Sequence, residues 1–285
     1  MKTSIKILLL VLFAIGAVAG VLVFLKTRIA PPSNIKLIDQ YSKNLTASCA
    51  SFENISDFDQ SRLEYMRIDD RMKRFVAENV LDPKECDESR KKVDDSYGKS
   101  LSAYAFNILN GSEWPEKKLN DIQAMMTSLR NDKLSTGDKA VSDEFITSAD
   151  KFQSVLNDYH AALTLSRSTG YRSVSDASSK ISKAKQYKSA EYLKNNSSLV
   201  SALNALPGKL AQSHYNHVAG TVNALGGYKS VSEDYFTNTL ATRVDQALSE
   251  YKNTSIYGGN KKSVSNLEQR ADALYREAYD YYEGN

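Results

Sequence analysis

Apolar residues recur along most of this chain at intervals of three and four, the spacing that lines one face of an α-helix. Tyr65, Ile68, Met72 and Phe75 form one stripe, and Val93, Tyr97, Leu101, Tyr104 and Ile108 a second. Leu119, Ile122, Met126 and Leu129 give a shorter third. Val141, Phe145, Phe152, Leu156, Tyr159 and Leu163 mark a long helix. Phe236, Leu240, Val244, Leu248 and Tyr251 mark another, and Leu267, Ala271, Leu274, Ala278 and Tyr281 the last. Such stripes leave water only by packing against one another. Sustained alternation, the strand signal, does not occur. The pattern therefore predicts an all-α chain, an elongated antiparallel bundle of about six to eight helices.

Turn-forming residues punctuate the stripes at Asp82-Pro83, Asn110-Gly111, Ser135-Thr136-Gly137, Thr169-Gly170, Pro207-Gly208, Gly226-Gly227 and Gly258-Gly259. Each reads as a helix stop. Ser56 with Asp59, Ser230 with Glu233, and Ser265 with Glu268 have capping-box spacing, which satisfies orphan N–H groups in a first turn. The stretch Ser166–Ser189 is rich in Ser and Lys and poor in large apolar residues. It reads as either a linker or a solvent-exposed helix.

One apolar segment is different in kind. Ile7–Leu25 runs for 19 residues without a charged side chain. As a helix it would be about 28 Å long, close to the hydrocarbon thickness of a bilayer. Lys2 and Lys6 precede it, Lys26 and Arg28 follow it, and Pro31-Pro32 closes it. The expectation is an uncleaved signal-anchor in residues 1–30, inserted in the bilayer through residues 7–25. The competing reading is a secretory signal peptide cut after Ala19, because Ala17-Val18-Ala19 resembles a cleavage site. The apolar run continues past that site, which favours the anchor. Positive charge before the span places the main domain on the extracytoplasmic side, periplasmic or at the cell surface.

Beyond the anchor the organisation reads as a first helical region over 31–133 and a second over 134–285. Val141-Ser142-Asp143 and Val174-Ser175-Asp176 are spaced like Val231-Ser232-Glu233 and Val264-Ser265-Asn266. A duplicated hairpin, 141–195 and 231–285, is one explanation. A common helix-start signal used four times is the other.

Composition changes the picture only in part. The chain has 285 residues, 37 basic and 34 acidic, for a net charge of +3. Five of the basic residues and no acid lie in residues 1–36, so the remainder carries −2 and its charges are mixed. No concentrated basic patch exists to neutralise phosphates, and nucleic acid is not an expected partner. Cys49 and Cys86 are the only cysteines and form a disulfide candidate, although the helix between them would hold them apart in a simple up-down layout.

Chemistry-bearing motifs are scarce. No phosphate loop, dinucleotide fingerprint or nucleophile elbow occurs, so no catalytic residue and no cofactor is assigned. Ser-x-x-Lys recurs at Ser33, Ser96, Ser148 and Ser182 without the companion motifs of penicillin-recognising enzymes. His214 and His217 share a helical face and are weak metal candidates, lacking further ligands at a matching spacing. Asp69-Asp70 and Asp94-Asp95 are sequence neighbours, which point about 100° apart on a helix. Tyrosine is abundant, 17 residues against one Trp, and Tyr275, Tyr279 and Tyr282 make a candidate partner surface. The sequence thus predicts a membrane-tethered extracytoplasmic helical binding or scaffold protein. Its expected partner is a protein or a glycan, and self-association is open. The alternatives are a cell-envelope enzyme with a site assembled from distant helices, and a cytoplasm-facing membrane adaptor.

Overall fold

A computed structural model describes residues 57–77, 83–168 and 170–284. The anchor segment 7–25, Cys49 and Ser56 lie outside these residues. Among the described residues there are eight long helices and no strand beyond one isolated bridge, Lys133 with Lys139. The helices are α1 (Phe58–Ala77), α2 (Pro83–Asn110), α3 (Glu116–Asn131), α4 (Asp143–Arg167), α5 (Val174–Ser189), α6 (Ser197–Ala224), α7 (Thr242–Asn253) and α8 (Ser265–Glu283). Glu233–Tyr235 and a π-helical segment, Phe236–Ala241, lead into α7. No described helix is long and apolar enough to cross a membrane.

The chain divides into two units: residues up to Tyr104 with Asn120–Ala149, and Ala105–Leu119 with the residues from Asp150 onward. In the first unit the predicted stripes are the core. Tyr65, Ile68 and Met72 of α1, Val93, Tyr97 and Leu101 of α2, and Ile122, Met126 and Leu129 of α3 are all buried. The Tyr65 and Tyr97 rings stack at 4.5 Å, joining α1 to α2. Gly98 lies inside the continuous helix α2 and has a packing reason to be there. A Cβ there would stand 2.7 Å from Phe145, whose buried ring lies against the helix backbone. The loop between α3 and α4 is fastened by Asp87, which accepts from the Ser135 hydroxyl at 2.6 Å and the Thr136 N–H at 3.0 Å. Burial pushes the Asp87 carboxyl up, but these hydrogen bonds outweigh it and hold the group below its ordinary range.

In the second unit α6 is the central element, with α5, α7 and α8 packed against it. Its buried residues Leu199, Leu203, Leu206, Leu210, His214, Val218 and Val222 keep the helical period from end to end. Pro207-Gly208, which reads as a stop, lies inside this helix. Proline forfeits one backbone hydrogen bond, yet buried leucines on both sides carry the helix across the gap. The Ser/Lys-rich stretch also resolves differently from a linker: 174–189 is the helix α5, with Ala177, Ile181 and Ala184 buried. Small alanines let it approach α6 closely, so little apolar volume suffices.

Helix starts correct the capping expectations. The carboxylate of Asp57 caps α1, accepting from the Asp59 N–H at 2.9 Å. Ser232 rather than Ser230 caps the Glu233 turn. Ser265 is the first residue of α8, and Glu268 instead bonds Lys252 at 2.6 Å. The start of α5 is capped by Ser173, with Ser175 already inside the helix. Helix starts at Asp143 and Glu233 are 90 residues apart, while the ends at Arg167 and Asn253 are 86 apart.

Candidate functional site

Two buried polar clusters, one in each unit, collect most of the perturbed chemistry. In the first unit Asp94, 1% exposed, accepts a hydrogen bond from the Tyr65 hydroxyl at 2.7 Å. Arg90 is the hub: its guanidinium contacts Asp132, stands 3.6 Å from Asp69 and 3.7 Å from Asp94. Those last two contacts are too long for hydrogen bonds. Asp69 Oδ1, Asp94 Oδ2 and Arg90 Nε are consequently buried without a hydrogen-bond partner among the described residues. Burial pushes the Asp94 carboxyl up to about 7, with Asp132 and Asp69 adding to the rise against Tyr65 and Arg90. The carboxylates that meet here come from different elements. Asp94-Asp95 do not face each other; Asp95 turns to accept the Ser142 N–H at 2.6 Å.

The second cluster centres on His214 of α6, also 1% exposed. The Tyr171 ring stacks flat on the imidazole at 3.7 Å. Nδ1 lies 3.1 Å from the Tyr257 hydroxyl, and Nε2 lies 3.5 Å from Glu250 Oε1 of α7. The Tyr171 hydroxyl donates to the same carboxylate. Burial pulls His214 down to about 4, Glu250 opposing and His217 assisting. The ring is therefore neutral at pH 7. Nδ1 and the Tyr257 hydroxyl share a hydrogen bond, and the Nε2 contact with Glu250 is a longer electrostatic one. Burial also lifts the Tyr257 phenol to about 12, which keeps it a donor.

His214 and Glu250 form one end of an open groove of about 600 Å³ between α6 and α7. Ala224 and Leu240 lie toward its other end, so the two helices run antiparallel along it for roughly 15 Å. Leu240 belongs to the π-helical segment, a distortion frequently found at functional sites. Gly220 lies on the α6 wall, and a Cβ there would meet nothing within 4 Å. Glycine in a helix interior costs about 1 kcal/mol relative to alanine, and here no neighbour requires it. What it leaves is room. Arg243 lines the α7 wall and makes no ion pair or hydrogen bond among the described residues.

Of the residues the sequence singled out, His214 and His217 do share the α6 face and both line this groove. Among the described residues no three His, Cys, Asp or Glu side chains gather as a metal site. Cys86 is buried, its thiol 3.9 Å from the Met72 carbonyl and pushed up chiefly by burial. The Cys49–Cys86 pairing involves a residue outside those described. Tyr282 is committed internally, its hydroxyl reaching the Tyr228 and Val231 carbonyls at 2.6 and 3.1 Å. The Tyr275 hydroxyl lies 3.1 Å from Asp245, and Tyr279 alone of the three is strongly exposed, at 65%. Sequence reasoning missed Tyr171, Tyr257 and Glu250. Both tyrosines sit in loops, where periodicity carries no signal, and Glu250 is one acid among many on helix surfaces. The chain matches no protein-family model, no curated protein and no solved structure.

Proposed function

We propose that this chain is a membrane-tethered helical binding protein whose second unit presents the recognition surface on the extracytoplasmic side. The tether is the apolar run Ile7–Leu25 with its flanking cations. The observation that carries the binding reading is the inward wiring of the groove's histidine. A carboxylate on one imidazole nitrogen and a hydroxyl on the other is the connectivity that activates a nucleophile. Here the hydroxyl belongs to Tyr257, 1% exposed, and faces the core rather than the groove. The dyad orders the wall of the groove instead of reaching a substrate. This favours recognition over the enzyme alternative. Anchoring supports it physically, because a tether raises the effective concentration of a binding surface at the membrane.

The test is biochemical. Native chain should stay in the membrane pellet through alkaline carbonate, and its N-terminal sequence should begin before Gly20. Recovery in the carbonate supernatant, or a first residue of Gly20, removes the tether. For sidedness, a cysteine placed by Tyr279→Cys in a Cys49→Ser background should react with an impermeant thiol reagent on intact cells. Labelling only after lysis places the domain in the cytoplasm.

A further inference from the structure

We propose that the α6–α7 groove takes an acidic peptide segment in extended conformation, with one of its carboxylates held by Arg243. The proposal rests on reading the second unit as a binding body and does not depend on the tether.

Shape argues for a chain rather than a compact small molecule. The groove is open along its length, and roughly 15 Å accommodates four to five extended residues. Gly220 and Ala224 on one wall and Ala247 on the other carry little or no side chain, which leaves room for a backbone to lie between the helices. A side chain at position 220 would fill space that nothing in the fold occupies.

Charge complementarity sets the class. The groove's two full charges are unequal in what they have left to offer. Glu250 already accepts from Tyr171 and faces His214. Arg243, seven residues earlier on α7 and about 10 Å away along the axis, has no partner among the described residues. A free guanidinium presents a planar fork of donors that matches a carboxylate. Gln246, between the two charges, offers a carboxamide that can both donate to and accept from a peptide backbone. Leu240, one turn from Arg243, gives an apolar contact beside the anchoring charge. A strongly basic ligand would leave Arg243 facing like charge, and a nucleic acid would find a single cation.

The experiment uses the full chain in neutral detergent micelles and a fluorescein-labelled heptapeptide of alternating Glu and Leu. Fluorescence anisotropy should show saturable binding that weakens as salt rises. The same peptide with Gln for Glu should bind at least tenfold more weakly, and Arg243→Gln should bring the acidic peptide to that weaker level. Gly220→Leu should abolish binding of either peptide while raising the melting temperature, since leucine favours helix and the space is empty. Arg276→Gln on α8 should bind as the unaltered chain does. Equal affinity for the Glu and Gln peptides, indifference to Arg243→Gln, or no saturable binding up to millimolar peptide overturns the proposal. A chain that washes from membranes yet binds the acidic peptide removes the tether and keeps the groove. A membrane-held chain that fails every peptide arm does the reverse.

Discussion

Asp94 in the first unit and His214 in the second are equally buried, each 1% exposed, yet they move in opposite directions. The same force acts on both. Burial disfavours whichever form carries charge. For the acid that form is the deprotonated one, so its pKa rises to about 7; for the imidazole it is the protonated one, so its pKa falls to about 4. Their partners differ in quality as well. Arg90 reaches Asp94 only at 3.7 Å, leaving buried polar atoms unpaired. His214 in its neutral form shares a hydrogen bond with Tyr257 through Nδ1 and has Glu250 3.5 Å from Nε2. One unit buries an incompletely compensated charge network, and the other buries a neutral base hydrogen-bonded at Nδ1.

The comparison can be read with one probe per unit. Trp114, the chain's single tryptophan, lies in the second unit with its ring 5.1 Å from Tyr159, so its fluorescence reports there. The buried thiol of Cys86 reports on the first unit through its protection from a thiol reagent, in a Cys49→Ser background. The largest effect should come from Arg90→Met. Removing the hub leaves Asp69, Asp94 and Asp132 facing one another, and loss of one member of a buried ion network costs about 4 kcal/mol. Cys86 should lose protection at neutral pH and regain part of it as the pH falls below 7, because burial favours the protonated form of Asp94. Full protection at neutral pH would break the account of that unit.

Opposite pH dependence comes next, on the order of a few kcal/mol in each unit. His214 has a folded pKa below its unfolded value of 6.5, so its contribution is present above pH 6.5 and is lost as pH falls toward 4. Asp94 has a folded pKa above its unfolded value of 3.8, so its contribution is present below about pH 4 and is lost as pH rises through 7. Denaturation followed by Trp114 should weaken on the acid side, and thiol protection at Cys86 should weaken on the neutral side. His214→Phe should flatten the first trend, and Asp94→Asn the second. Parallel trends at the two probes would refute the opposition.

Gly98→Ala is a smaller perturbation and belongs to one unit only. The added methyl meets the buried Phe145 ring at 2.7 Å, and overpacking of this kind costs about 2 kcal/mol. Thiol protection should fall while Trp114 fluorescence keeps its midpoint. The smallest change is Tyr282→Phe, which removes a hydroxyl from two carbonyls of the second unit at a cost of about 1 kcal/mol. It should shift the Trp114 midpoint and leave Cys86 alone. Movement of both probes in either variant would show that the units do not unfold separately.

The helical stripes were legible because helix periodicity is a local property. Tyr65, Leu101, Ile122, Phe152, Val244 and Ala271 are buried where the spacing put them. Stops and caps were less legible. Pro207 is a breaker by its own chemistry, but it sits in a helix whose flanking leucines are all buried. Ser232 and Ser173 took caps two residues from the expected or repeated serines because short polar residues there compete closely for the first turn. The candidate site was barely legible. His214 and His217 were visible as a pair on one face, but the groove they line depends on α7 lying alongside.

What the residues determined unaided is the helical class, the core faces of α1 to α4, α7 and α8, and the apolar run near the N-terminus; the faces of α5 and α6 emerged only with the structure. Each follows from neighbours three or four positions apart, or from an unbroken stretch. Tertiary structure alone decided what the polar groups do. Asp69, Asp94 and Asp132 meet at Arg90, and Tyr171 and Tyr257 close on His214 from loops 43 residues to either side of it. Apolar burial is non-directional and satisfied by any suitable face. A buried charge or imidazole needs particular atoms at particular distances, and those are set only when separate elements pack.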